Sequence, residues 1–349
     1  MIGNLTPVAV DANTASREFW TRYHAYRRVR HAEAYQGDPL KPDELVEIEM
    51  KHVKPFEIQY RYEIARDGQM LSDFFAATTK PGSPEYQTNK QFMWASASVH
   101  PDHRRHGIGR SWIPLTLELM ERHGCTTLTM DTHEASGHEF LEAIGAEGKS
   151  AGAENRLQLA DVDWAMLRRW VDDGPAKSPA TRLEIYDGHL PAGMLEDYSP
   201  QFSALLNTMP WDDLDHGDIV VTPATFADWY SRLDEQGGAD YTMLTREPDG
   251  TISGVTDMTY APYRPQFIEQ GFTGVRPDAR GRGLGKWLKA AMLLHVRETY
   301  PDLQTVITGN ASSNGPMLAI NTKMGFKEHR AGNEYQITLE KLREAHKRK

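Results

Sequence analysis

Apolar positions along this chain change period in a fixed order, and they do so twice. Alternation with a period of two marks strand-like runs at "FMWASASV" (92–99) and "FIEQGFTGV" (267–275). Each run enters a glycine-punctuated loop, then a stretch with apolar residues three and four apart as in a helix, then a second strand: "TTLTMD" in one half, "LQTVITG" in the other. Short helical patterns follow, "EFLEAIGA" stopping at Gly145 and "MLAINTKMGF" at Gly325, where the position after a helix favours left-handed backbone. Earlier in each half come a strand ("VAV"; "RLEIY") and helical stretches ("ASREFWTRYHAYRRV"; "TPATFADWYSRLDEQG"). The second half also contains a hairpin, "YTMLTREPDGTISGVTDMTY", turning at Asp249-Gly250. The order β, α, α, β, β, β, α, β, α, β predicts two tandem α+β domains.

Between the repeats, "DVDWAMLRRWVDDGPAKSPATRLEIYDG" reads as a short amphipathic helix and then a Gly/Pro/Ser/Ala linker, with a boundary near 173–181. The expected division is an N-terminal domain at 1–160, helix and linker at 161–182, and a C-terminal domain at 183–349. A length of 349 residues suits two such cores, and 39% hydrophobic with 25% charged residues is ordinary for a globular chain. The formal charge of −10 argues against a nucleic-acid or anionic-membrane binder and leaves room for a neutral or cationic small partner. Cys125 is the only cysteine, so no intrachain disulfide can form, and in "HGCTTLTM" it behaves as a small strand hydrophobe. The start lacks a basic segment followed by an apolar one, and no apolar run reaches 18 residues; a cytoplasmic protein is expected.

The two loops are copies. "VRPDARGRGLGK" (275–286) and "VHPDHRRHGIGR" (99–110) share V-x-P-D-x-R-x-x-G-x-G, with Arg104 and Arg280 separated by 176 residues. A strand that runs through a Gly-rich turn into a helix aims several backbone N–H groups, and the positive end of the helix dipole, at one spot. Gly281, Gly283 and Gly285 allow close approach, and Arg280 and Arg282 add charge, so the loop suits a pyrophosphate. "GLGKW" lacks the Ser/Thr of a Walker loop, and the strands before the loop do not suit a dinucleotide fold, whose glycines follow the first strand.

The combination V-x-P-x-x-R-G-x-G-L-G, an amphipathic helix, a strand, Asn314 and then Met324-Gly325-Phe326 resembles the GCN5-related N-acetyltransferases (GNATs), above all the tandem members of that superfamily, mycothiol synthase among them. The resemblance implies, in each domain, a mixed, mostly antiparallel twisted sheet flanked by helices, with a splayed parallel strand pair. It implies acetyl-CoA as acyl donor, with pantetheine along Thr273, Gly274 and Val275. The pyrophosphate would lie on the amides of 281–285 among Arg280, Gly281, Arg282, Gly283, Leu284, Gly285 and Lys286. Asn310 and Asn314 would complete the site, although Asn314 ahead of Pro316 also reads as a helix cap. A second CoA site would comprise Val99, Arg104, Arg105, Gly107, Ile108, Gly109 and Arg110.

Transfer to an amine needs its neutral form, which costs an alkylammonium about 4–5 kcal/mol at pH 7. Glu269, on the strand that would flank the thioester, is the candidate base, sharing a face with Thr273 provided that no bulge intervenes. A backbone N–H near Gly274 or Val275 would stabilise the tetrahedral intermediate. The family places a Tyr four residues before the last helix's Gly to protonate the thiolate. Here the position holds Asn321, which donates a hydrogen bond but no proton, and Leu141 in the other half. Tyr260 and Tyr335 are then the candidate acids, unless none is needed.

The halves are unequal. Leu284, Trp287, Leu288, Ala291 and His295 keep a helical stripe in the second; in the first, Pro114 replaces Ala290 and should kink the helix. Glu134 stands where Asn314 aligns, and Arg105 and His106 replace Gly281 and Arg282. Residues 183–349 are therefore expected to catalyse, with 1–160 as scaffold. His100, His103 and His106 belong to the loop, so no metal is expected. The acidic run "WDDLDHGD" reads as a solvated loop, and the tail "LREAHKRK" as frayed. The function expected is acetyl-CoA-dependent N-acetylation of a small-molecule amine by direct attack in a ternary complex. The alternatives are a silent CoA-binding protein, or a transferase using another acyl group or a thiol acceptor.

Overall fold

The computed structural model describes residues 5–348. In chain order the first half forms β1 (Val8–Ala9), α1 (Arg17–Ala34), α2 (Asp43–Lys51), β2 (Glu57–Arg66), β3 (Gln69–Thr79), α3 (Tyr86–Asn89), β4 (Phe92–Val99), α4 (Ile108–Ser111), α5 (Ile113–His123), β5 (Thr127–Thr132) and α6 (Ala135–Ile144). There follow β6 (Glu147–Gln158), α7 (Trp164–Lys177), β7 (Arg182–Asp187), α8 (Leu195–Leu206), α9 (Pro223–Glu235), β8 (Ala239–Arg246), β9 (Ile252–Tyr260) and β10 (Phe267–Val275). The chain ends with α10 (Leu284–Thr299), β11 (Thr305–Ala311), α11 (Gly315–Met324), β12 (Lys327–Thr338) and α12 (Leu339–Lys347).

Two compact units result, and they differ from contiguous halves at 1–160 and 183–349. Unit 1 takes the chain up to Ser150, Asp213–Asp218 and the segment from Gly332; unit 2 takes Ala151–Asp212 and Ile219–Ala331. In unit 1 the strands run in the order β1-β2-β3-β4-β5-β12, in unit 2 β6-β11-β10-β9-β8-β7. All neighbours within a unit are antiparallel except β4 with β5 and β10 with β11. This is the anticipated α+β architecture, with one difference. The strand after the last helix of each half pairs in the other unit: Gly152–Gln158 of β6 on β11, and Asn333–Thr338 of β12 on β5.

Cores follow from the alternation. In unit 2, Met243, Met258, Ile268 and Val306 face α10, whose Leu284, Leu288 and Met292 are buried, while Leu244 and Val255 face Phe202 of α8 and Phe226 of α9. Helix α7 continues through Gly174 and Pro175 rather than giving way to a linker there. Gly174 is required by close approach, since a Cβ would stand 2.1 Å from the Trp287 ring of α10. In unit 1, Pro114 splits the helix after the loop into α4 and α5.

Two expectations are corrected. The tail is not frayed: Thr338 caps α12, and Leu339, Leu342 and Ala345 are buried in the unit 1 core, a three-residue spacing hidden among charges. The acidic run is also more than a solvated loop. Asp213 N–H donates to Lys149 O (3.1 Å), Asp215 N–H to Gln336 Oε1 (2.9 Å), and Asn89 Nδ2 to Asp218 O (2.9 Å), all within unit 1.

Candidate functional site

Parallel pairing of β10 with β11 lasts only from Phe267/Thr305 to Glu269/Ile307. Beyond that, β10 stays on β9 as far as Val275 and β11 on β6 as far as Ala311, so the two strands diverge. One hydrogen bond bridges the fork, from Thr308 Oγ1 to Gln270 O at 3.1 Å. At the same point β10 carries a bulge, its register on β9 shifting between Gln270 and Thr273.

The bulge overturns the expected face of Glu269. Glu269 is paired with Thr259 and Thr273 with Thr256, on opposite faces of β9. Thr273 Oγ1 meets Thr256 Oγ1 at 2.8 Å on the side of α10, whereas Glu269 is half exposed and ion-paired with Arg264. Sharing the Glu269 face are two carboxylates that the sequence reading missed, Asp240 and Asp257. Asp257 Oδ1 accepts the Phe272 N–H of the bulge at 3.1 Å. Burial, then the neighbouring Asp240, push Asp257 up to about 8, and burial raises Asp240 to about 6. The signal available was "TDMTY", a carboxylate alternating with apolar residues inside a hydrophobic strand.

After Val275 the chain makes a 3₁₀ turn (Pro277–Ala279) and enters α10 through Gly281 and Gly283, at φ +81° and +84°. Among the described residues the amides of 281–285 donate to no protein acceptor; the first bonds from the loop into the helix run from Lys286 and Trp287 to Gly283 O. No side chain caps this helix, Gly281 would leave even a Cβ in open space, and Gly285 lies against Ile320 of α11, 3.3 Å from an added Cβ. Arg280 Nε holds Val275 O (3.2 Å). Arg282 is committed elsewhere, donating to Glu247 (2.9 Å), Ser178 (3.2 Å) and Thr181, so it braces the loop on the residues just after β8 and α7. Leu284 is core, and Lys286 lies over the Trp170 ring.

Asn314 caps α11, its Oδ1 accepting Met317 N–H at 3.4 Å, as the cap reading expected. Asn321 is 2% exposed; its Nδ2 donates to Asn310 Oδ1 at 2.7 Å, and its own Oδ1 has no partner. Neither candidate tyrosine stands with them. Tyr260 is stacked on Tyr300 at 3.7 Å, and Tyr335 belongs to unit 1, bonded to His138 at 2.8 Å; burial raises both phenols, making them poorer acids.

The loop of unit 1 has the same skeleton and different charges. Arg104 Nε holds Val99 O at 3.2 Å, the counterpart of the Arg280 bond. Its guanidinium, however, is neutralised by Glu33 (2.6 Å) and Glu134 (3.3 Å), with Arg30 paired to the same two carboxylates. Arg105 sits at φ +62° where Gly281 stands in unit 2, and it pairs with Glu139. Gly107 keeps φ +84° and Ile108 is core; an added Cβ on Gly109 would touch Phe140 at 3.4 Å, and Arg110 caps α12 through Ala345 O at 2.9 Å. The strand register of β4 on β3 has no bulge. Among the described residues no group of His, Cys, Asp or Glu could hold a metal, and no helix is long and apolar enough to cross a membrane.

No family model matches the chain. Among curated proteins it is similar to the mycothiol acetyltransferase of Salinispora arenicola, 25% identical over 303 residues, 86% of this chain and 87% of that one. Mycothiol acetyltransferases of Actinosynnema mirum and Saccharomonospora viridis are 39% and 34% identical, but over segments covering 21% and 30% of their lengths. Among solved structures, a tandem GNAT protein from the clavulanic acid biosynthesis pathway superposes with a TM-score of 0.74 at 22% identity, covering 96% of this chain and 99% of that one. A GCN5-related N-acetyltransferase from Sphaerobacter thermophilus gives 0.63 at 15% identity over 96% and 97%. The duplicated loop and the forked strands go with these likenesses: the chain has the tandem fold of the GCN5-related N-acetyltransferases and is distantly similar to a mycothiol acetyltransferase along most of its length.

Proposed function

We propose that unit 2 transfers an acetyl group from acetyl-CoA to the amine of a small molecule by direct attack in a ternary complex. The observation that carries this reading is the row of undonated amides at 281–285, at the N-terminus of the 16-residue α10 and at the end of the strand that leaves its parallel partner. Such a row binds phosphate oxygens, and the helix dipole adds to it. In this reading Thr273, Gly274 and Val275 form the wall along which pantetheine lies, and Arg280 is the arginine left to face phosphate, since Arg282 is braced on Glu247. The distant mycothiol acetyltransferase relatives support a small acceptor.

Glu269 remains the nominated base, its carboxylate oriented by Arg264 and open to water that could relay the proton. Asn321 would bond to sulfur rather than protonate it. Unit 1 serves as an accessory: Glu33 and Glu134 occupy the Arg104 guanidinium, so the arginine of its loop is not free to face phosphate.

Calorimetric titration of the purified protein with acetyl-CoA and with CoA tests this. One site per chain is expected, abolished by Gly283→Asp, which places a carboxylate at the cradle and a side chain in left-handed backbone. Two sites would restore unit 1 to the binding role, and no binding would remove the reading. A bound donor with no acyl transfer to any of a panel of amines or thiols would favour the silent CoA-binding alternative.

A further inference from the structure

Helix α10 buries a lysine. Lys289 is 1% exposed and forms no hydrogen bond or ion pair among the described residues. Its Nζ lies 5.4 Å from the centre of the Phe326 ring, and the Asp257 carboxyl on β9 opposes part of the effect of burial on it. Lysine is almost never buried without a partner, because an ammonium stripped of water is costly. A packing role alone would be met by Leu or Met at lower cost.

The place is specific. Gly285 faces Ile320 of α11 and Val275 of β10, and Lys289 is one turn further along the same face of α10. Phe326, beneath its Nζ, donates its backbone N–H to Asn321 O at 3.0 Å, so Lys289 and Asn321 share a neighbour. Two buried acceptors on this side of the fork have no donor: Asn321 Oδ1 and Gln270 Oε1. A buried lysine and two buried acceptors without donors, one on the strand that leaves the fork and one on Phe326's hydrogen-bond partner, make this side of unit 2 more polar than a core needs.

We propose that Lys289 holds the departing CoA sulfur as an ammonium–thiolate ion pair, so that no proton donor is needed at the position of Asn321; this rests on the acetyltransferase reading of unit 2. The acceptor nitrogen bonds to the acyl carbon, the carbon–sulfur bond breaks, and the electron pair stays on sulfur. The thiolate stays paired with the Lys289 ammonium and takes a proton from solvent on release. The two protons that the acceptor's ammonium loses go to solvent. Burial lowers Lys289 to about 7, with Asp257 partly opposing, so its ammonium is still populated at neutral pH, and a thiolate beside it favours that charged form.

The test needs no acceptor. The thiolate absorbance of bound CoA is titrated in the full-length protein and in Lys289→Met, with desulfo-CoA affinity measured for both. The expected result is a bound thiol about one pKa unit or more below the free value in the wild type, roughly a tenfold shift in its ionisation. Lys289→Met abolishes that shift and leaves desulfo-CoA binding unchanged. Lys289→Arg, which keeps a fixed charge, retains the shift and controls for a variant that folds poorly. Identical thiol titrations in wild type and Lys289→Met, at full CoA affinity, would overturn the proposal alone. Failure of the wild type to bind either ligand would overturn the acetyltransferase reading, and the proposal with it.

Discussion

Asp257 shows how one side chain ties chemistry to stability. Its carboxyl holds the bulge through the Phe272 N–H, and burial beside Asp240 raises it to about 8. The folded-state value lies above the unfolded one, so folding takes up a proton: stability is intact below about pH 4 and is lost as pH climbs towards 8. Asp257→Asn keeps the oxygen that accepts from Phe272 and removes the charge. Its stability gain should be near zero at pH 4, grow by roughly 1 kcal/mol per pH unit, and level off above pH 8. Denaturant unfolding of both proteins at pH 4, 6 and 8 measures it; a constant difference would show that Asp257 ionises freely. Lys289 acts with the opposite sign in a later window. Its lowered value makes folding release a proton, so native stability rises from about pH 7 towards the unfolded lysine value.

At the scale of elements, the two loop–helix junctions show what local chemistry can and cannot specify. Both put glycine in left-handed backbone before the helix, Gly107 and Gly283, and both hold the strand end with an arginine Nε. These features were legible because glycine and arginine at fixed offsets have few other reasons to recur. Unit 1 departs at Arg105, an arginine in left-handed backbone, where a Cβ costs about 1–2 kcal/mol. Its exposed pair with Glu139 repays little. Arg105→Gly should therefore stabilise the protein by about 0.5–1 kcal/mol after glycine's extra chain entropy, read as a higher denaturation midpoint; a loss would mean that the Glu139 pair matters more. The bulge, by contrast, could not be read. "FMWASASV" and "FIEQGFTGV" alternate similarly, and only pairing with the neighbouring strand shows that one is regular and the other slips by a residue. The commitment of Arg282 was hidden for a related reason: Glu247, 35 residues away, is brought to it by the fold.

For the whole molecule, the decisive fact is that neither half of the sequence contains its own sheet. The hydrophobic pattern located β1, β4, β5 and β7 to β11 but not β2, β3 or the two exchanged strands β6 and β12, and it named no strand's partner, because alternation fixes which face is buried and not which neighbour covers the edge. Unit 1 closes only when Ile337 pairs with Leu128, and unit 2 only when Leu157 pairs with Val306. Contacts so distant along the chain are costly in loop entropy and slow to form. In synthesis, unit 1 must wait for Asn333–Thr338 of β12, leaving the edge of β5 unpaired until then. Removing residues from Gly332 onward takes Tyr335, Ile337, Leu339, Leu342 and Ala345 out of the unit 1 core and strips a strand from its sheet. At about 1.5–3 kcal/mol for each large buried side chain, the loss rivals the whole stability of an ordinary domain. The truncated protein should lose hydrogen-exchange protection throughout β2, β3, β4 and β5 while β8, β9 and β10 stay protected. A peptide spanning 332–349 added in trans should restore the former. Protection of β5 unchanged by the truncation would mean that unit 1 does not depend on its borrowed strand.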